Sequence, residues 1–383
     1  MCPKGDSMHK GTGGLFVILC GIGAASPILL AAPQENNAGA VFVMTNAADK
    51  NQVIAFERSA DGILSYRGKV DAGGRGSGGV NDPLESQGSL TLSQDHAFLF
   101  GVNAGSGNVS VFGVHGADLT LLDNVSSGGS QPVAVTENNH NLYVLNSGGA
   151  GSVVGFQVQP DGRLKQIANS TAFLSANATG GASITISPNG QFILVTERLA
   201  NNIDAFSVRA DGTLSPITVN ASPGPGAFSV KFAPDGKAIV SETGLATEAT
   251  GSAISSYSVL PNGMLSAISQ SVPTLGAANC WNAITPDGTK VYVSNAGSST
   301  ISGFTISTTG VLKPLPGTVV GINPEGATNL DIAVSADGKF LYSFNSGAGD
   351  IGVFAIEQSG LLTNLGQAGD LPVFAGFNGI AAF

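Results

Sequence analysis

A unit of about 50 residues recurs seven times along this chain of 383 residues. An aromatic closing a run of alternating apolar residues recurs at Phe56, Phe112, Phe156, Phe206, Tyr257, Phe304 and Phe354. Shortly after it comes a turn pair such as Asp61-Gly62, Asp161-Gly162, Asp211-Gly212 or Asn262-Gly263, then a leucine such as Leu64, Leu164, Leu214 or Leu265. Asp-Gly and Asn-Gly between alternating apolar runs signal tight hairpins, because they tolerate the positive φ such turns need. A second turn precedes the aromatic, as in Ser187-Pro188-Asn189-Gly190, Ala233-Pro234-Asp235-Gly236 and Thr285-Pro286-Asp287-Gly288. Each unit therefore holds four antiparallel strands, the first and second joined by the Pro-Asp-Gly turn and the third and fourth by the Asp-Gly-x-Leu turn. A unit of this length and content is a propeller blade.

The expected fold is an all-β, seven-bladed β-propeller of four-stranded blades. Composition agrees: Gly is 54 of 383 residues and charged residues are only 11%, which suits short strands and tight turns rather than helical bundles. Gly39–Phe42 reads as a second strand with no first strand before it, and Gly379–Phe383 matches the first-strand sequence Asp331–Ser335. The C-terminal strand is thus expected to complete the first blade and close the ring, which leaves no open sheet edge there. Residues 34–383 are expected to form one propeller domain.

Residues 1–33 differ from the rest. Lys4 and Lys10 precede an apolar stretch from Leu15 to Ala32 that ends in small residues. This is the pattern of a cleaved secretory signal peptide, with an uncleaved anchor as the alternative. A secreted or periplasmic location follows, and no membrane association is expected once the leader is removed. Only Cys280 would remain, so no intrachain disulfide is expected. With 16 Lys+Arg, net charge −10 and no basic run, nucleic acid is excluded as a partner. The chain is expected to be a monomer that takes a small-molecule ligand: a lactone, sugar or carboxylate.

The two repeated hairpins share one face of the ring. The opposite face, here termed the mouth, carries the variable loops on which function tends to sit. Second strands end at the mouth in polar residues: Asn46, Asn103, Asn146, Glu197, Glu242, Asn295 and Asn345. First strands begin there, with Gln131, Trp281, Asn282 and Asp331 at or beside their starts. Most of the Asn can be explained as turn caps, and the same positions could bind ligand. Glu197 and Glu242 replace Asn in blades four and five, Arg198 follows directly, and Asp331 opens a first strand in what the spacing gives as blade six. A carboxylate in a low-dielectric mouth can serve as a general acid or base, and a Glu–Arg ion pair is the alternative. Glu242, Glu197 and Arg198 are accordingly the expected catalytic residues. Asp331, Trp281, Asn282, Asn295, Asn345, Asn146, Asn103 and Gln131 are the expected ligand-binding ones. The three histidines beyond the leader, His96, His115 and His140, fall on the hairpin face. No His triad or metal site is therefore expected at the mouth, and no cofactor. Asp71–Gly88, long and Gly-rich, is either a lid or a disordered loop.

The second-strand exits Leu142–Asn146 and Val291–Asn295, with Pro-Asp-Gly before and Asp-Gly-x-Leu after, resemble the lactonase-type seven-bladed propellers. That group contains 6-phosphogluconolactonase and carboxymuconate lactonising enzyme. The resemblance covers Gly39 to Phe383. It implies a propeller fold, no cofactor, and hydrolysis or cycloisomerisation of a small lactone or cyclic ester. The family's activity motif looks like Gly-Pro-Arg-His entering a first strand and Asn-Glu leaving the second. Here Gly226-Ala227-Phe228-Ser229 and Ser241-Glu242 occupy those places: Glu242 matches, while Phe228 and Ser229 stand at the Arg and His positions. A non-catalytic extracellular binding or scaffold propeller is the alternative function.

Overall fold

The computed structural model describes residues 37–245, 248 and 250–383, so the expected leader lies outside the described residues. Seven antiparallel sheets follow one another around a central axis. Their inner strands are Ile380–Ala382, Leu90–Leu92, Pro132–Asn138, Gly181–Ile186, Ala227–Phe232, Asn279–Ile284 and Asn329–Val334, numbered here as blades one to seven. Six sheets have four strands, and the edge of blade three is split into Leu164–Gln166 and Ala172–Phe173. Asp331 therefore lies in blade seven rather than six: its strand pairs with Phe340–Asn345, the seventh second strand in chain order.

The repeat builds each blade in the same way. In the first hairpin a Ser or Thr hydroxyl bonds the Asp or Asn two residues on, as in Ser187–Asn189 (2.7 Å), Thr285–Asp287 (2.6 Å) and Ser335–Asp337 (2.6 Å). The next residue then turns through positive φ, at Gly190, Gly288 and Gly338. In blade two His96 takes that place at φ 58°, which puts this histidine on the hairpin face as expected. Apolar side chains of neighbouring sheets fill the seams. Second-strand tyrosines tie one blade to the next: the Tyr143, Tyr292 and Tyr342 hydroxyls donate to the Gly212, Gly360 and Gly62 carbonyls at 3.0, 2.8 and 3.0 Å. The last of these joins blade seven to blade one.

The ring closes where the sequence indicates. Ile380, Ala381 and Ala382 pair with Val43, Phe42 and Val41, and the Met44 and Phe383 amides extend the ladder to the Gly379 and Ala40 carbonyls. Arg58, buried in this seam, donates to the Phe383 carbonyl at 3.2 Å and to Asp337 at 3.3 Å, and its guanidinium lies over the Phe340 ring.

Candidate functional site in the propeller mouth

The polar residues ending the second strands turn into the seams between blades, where they hold the loops arriving from the preceding blade. Asn103 Nδ2 donates to Ser110 Oγ (2.7 Å), and Ser110 in turn donates to the Ala72 carbonyl. Asn295 repeats this with Ser302 (2.8 Å), which donates to the Thr274 carbonyl. Asn146 Nδ2 reaches the Ser127 carbonyl, and Asn345 reaches Asn323 and Asp350. Gly74, Gly129, Gly224 and Gly276 press against Asn103, Asn146, Glu242 and Asn295 so closely that a Cβ there would collide with the side chain.

Glu242 and Glu197 occupy the same anchoring position and are fully buried. Glu242 accepts from the Gly224 amide (3.3 Å), Ser222 (3.3 Å) and Ser255 (2.6 Å). Glu197 accepts from the Ser175 amide (3.0 Å), the Ser175 hydroxyl and Thr179 (2.6 Å). The two carboxylates thus sit in separate seams and do not converge. Glu197 instead faces Asp204, the counterpart of Ser110 and Ser302. No neighbouring donor reaches either Asp204 oxygen. Burial, followed by the nearby Glu197 charge, pushes the Asp204 carboxyl up to about 8. Arg198 pairs with Glu85 of the long loop, not with Glu197.

The last third of the Asp71–Gly88 segment reaches into the axial channel and is hydrogen-bonded there. The Gln87 amide bonds the Ala182 carbonyl, Ser86 Oγ donates to the Val133 carbonyl, and the Trp281 indole N–H donates to the Ser86 carbonyl at 2.9 Å. Gln87 Nε2 donates to Asp331 (2.9 Å) and to the Asn282 carbonyl (3.0 Å). Beneath this plug Trp281 packs edge-on against Phe228 with ring centroids 5.3 Å apart. Asn282 turns toward blade five and bonds Ser229 (2.8 Å) and Ser241. Asp331 accepts from Gln87, its neighbour Ile332 (2.8 Å) and Ile380 (3.1 Å), tying the plug to blade seven and to the closing strand. Burial raises its carboxyl to about 6.

At the mouth a cavity of about 530 Å³ opens over blades six and seven, and a larger one of about 790 Å³ lies off the axis between blades seven and one, lined among others by Ala47, Lys50 and Leu371. The walls of the mouth cavity include Asp82, Cys280, Trp281, Ser298, Glu325 and Leu330. Asp82 stands on the long loop and accepts from Asn378 Nδ2 at 2.8 Å. Burial, then the Glu85 charge, pushes its carboxyl up to about 7, against the pull of Asn378 and Arg198. Cys280 is fully desolvated, which raises its thiol well above the usual range, so it is no ready nucleophile. Asn295, Asn345, Asn146 and Asn103 are buried in the seams, and Gln131 is exposed on its own loop, its backbone turning at φ 53°. The structure thus gathers Trp281 at the cavity with Asp82, a residue that sequence reasoning passed over. The one available signal was the loop's length, since sequence alone does not say which loop residue meets which wall.

The fold and rim define the class, a seven-bladed propeller with a loop-plugged mouth. Within it, residues 133–244 match the family described as Lactonase, 7-bladed beta-propeller, and the chain resembles the lactonase-type propellers. A candidate 6-phosphogluconolactonase from Bacteroides uniformis superposes with a TM-score of 0.68 at 20% identity, over 90% of this chain and 99% of that one. A periplasmic gluconolactonase from Pseudomonas aeruginosa gives 0.63 at 16% identity, over 90% and 99%. A functionally unknown protein from Desulfotomaculum acetoxidans gives 0.67 at 18% identity, over 90% and 98%. No curated protein matches the chain.

Proposed function

We propose that this chain is a lactonase-like propeller that opens a small, uncharged lactone in the mouth cavity, with Asp82 as general base. The observation that carries this reading is Asp82 itself, a carboxylate on the cavity wall whose pKa of about 7 is matched to neutral proton transfer. In this reading Asp82 takes a proton from water as the water oxygen bonds the lactone carbonyl carbon. The ring C–O bond then breaks, and the alkoxide takes the proton back from Asp82 to give a hydroxy acid. Trp281 supplies an apolar wall, and Arg198 stays paired with Glu85 beside the cavity, outside its lining. Glu197 and Glu242 serve as positioning residues that hold the mouth loops arriving from blades three and four.

Substrate class follows from the lining. No Lys or Arg lines the cavity among the described residues, so a phosphorylated lactone would find no counter-charge there. Val80, Leu275 and Phe374 stand exposed on the surrounding loops and suit an apolar substituent. The Lys-containing apolar leader, together with the neighbour named as periplasmic, supports a secreted or periplasmic location. The test is turnover of a panel of alkyl, aryl, sugar and phosphorylated lactones by wild type and Asp82→Asn. Loss of at least a hundredfold in kcat for the variant supports the assignment.

A second reading, a non-catalytic binding propeller, is favoured by Phe228 and Ser229 at the family's Arg and His positions, where Phe228 and Trp281 fill the mouth. Lactone binding without turnover by the wild type would select it.

A further inference from the structure

Beneath the plug the axial channel continues as a separate cavity of about 270 Å³. Inner-strand side chains two apart face the axis, and the ladder register sets which ones share a level. Thr91, Thr136, Thr185 and Lys231 pair with Phe100, Tyr143, Leu194 and Ile239, each three residues before its second-strand end. Ala283, Ala333 and Ala381 hold the same level on blades six, seven and one, opposite Tyr292, Tyr342 and Phe42. The channel waist is therefore two-sided: Thr91, Lys231 and the three alanine methyl groups line the cavity together with Asp331, while Thr136 and Thr185 hold the same level on the adjoining wall. Gln87 closes it on the mouth side, while half-buried Leu92, Phe232 and Ala382 line its far end toward the hairpin face.

Lys231 makes no hydrogen bond or ion pair among the described residues, and neither does the Thr185 hydroxyl. Thr136 Oγ1 accepts from the Ile186 amide at 3.2 Å, which leaves its own proton free. The nearest opposite charge to Lys231 is Asp331, one level up, and three N–H groups already occupy that carboxylate. A cation in a narrow, partly apolar channel without its own acceptor is costly to keep charged unless an anion accompanies it.

We propose that the channel is a second ligand site, distinct from the mouth cavity, that binds a short-chain monocarboxylate from the hairpin face. Its carboxylate accepts from Lys231 and from Thr185 and Thr136, and its alkyl body lies on Ala283, Ala333 and Ala381. One cation fits one negative charge, and the methyl wall favours an alkyl acid over an inorganic anion.

Calorimetric titration and thermal melts with butyrate, butyramide and chloride test this. Butyrate is expected to bind and raise the Tm of wild type, with butyramide and chloride giving at least tenfold weaker binding. Lys231→Met, which keeps the stem and removes the charge, is expected to abolish the butyrate shift, and Thr185→Val to weaken it several-fold. Asp82→Asn, altered only at the mouth, is expected to bind butyrate like wild type. Thr185→Val decides the matter should Lys231→Met fail to fold. Butyrate binding that is absent, matched by butyramide or chloride, unchanged in both channel variants, or lost in Asp82→Asn overturns the proposal.

Discussion

Asp204→Asn should make the protein more stable, and by an amount that depends on pH. In the folded chain Asp204 is buried against the Glu197 carboxylate, with only a weak pull from the Ser175 amide, and its carboxyl stays protonated up to about pH 8. In the unfolded chain it ionises near 3.8, the ordinary value for an aspartate. Below pH 4 both states hold the proton and the pair costs nothing. Above that the unfolded state releases the proton and the folded state does not, so stability falls by at most ~1.4 kcal/mol per pH unit until the folded carboxyl ionises. Carried from about pH 4 to about pH 8, the penalty approaches ~5 kcal/mol, a large share of a typical folding free energy. Asn keeps the shape, donates Nδ2–H to Glu197 and removes the titration. Calorimetric melts at pH 4.5 and pH 8 read the effect. Wild type and variant should melt within a degree or two of each other at pH 4.5. At pH 8 the variant should melt roughly 10 °C or more higher, since ~1 kcal/mol corresponds to ~2–4 °C for large domains. An equal Tm difference at both pH values would refute the reasoning, because a packing effect does not titrate.

Other perturbations test the remaining parts. A chain ending at Phe377 loses Ile380, whose buried side chain alone stabilises by ~1.5–3 kcal/mol, along with the closing ladder; it should aggregate or melt far earlier than the full chain, as read by size exclusion and calorimetry. Glu242→Gln keeps Oε1 for its three donors but puts a buried amide N–H without an acceptor where Oε2 stands unpaired, and should cost ~1–3 kcal/mol in urea melts, while kcat on any substrate changes far less than in Asp82→Asn; a kcat loss equal to that of Asp82→Asn would make Glu242 a catalytic group after all. Tyr342→Phe removes the hydroxyl that bonds the Gly62 carbonyl across the closing seam and should cost ~1 kcal/mol, with no change in the circular dichroism of the sheets.

The blades were readable because their determinants are local. Ser-x-Asp-Gly turns and alternating apolar runs act within a dozen residues, and seven repetitions make each reading support the next. Even the ring closure was readable, since Gly379–Phe383 carries a first-strand pattern. The mouth was less so. Glu197 and Glu242 stand out in a charge-poor chain, yet a side chain at a strand end can turn toward the axis or into the seam. Only the incoming loops, with Ser175, Thr179 and Gly224 as donors, decide which. Arg198 finds Glu85 rather than its neighbour Glu197, a contact 113 positions apart that no local pattern encodes. Asp82 owes its raised carboxyl to burial and to the Glu85 charge, against the pull of the distant Asn378, and its own sequence context carries no sign of it.

The pH profile of kcat/KM on an alkyl lactone, for wild type beside Asp82→Asn, tests the central claim most directly. If Asp82 is the base, wild-type activity rises with pH and levels off above about 7, the value to which burial lifts its carboxyl. The variant should lose both that limb and at least a hundredfold in rate while melting at a similar temperature. A variant that retains wild-type turnover, or a wild-type profile flat from pH 5 to pH 9, would contradict the account.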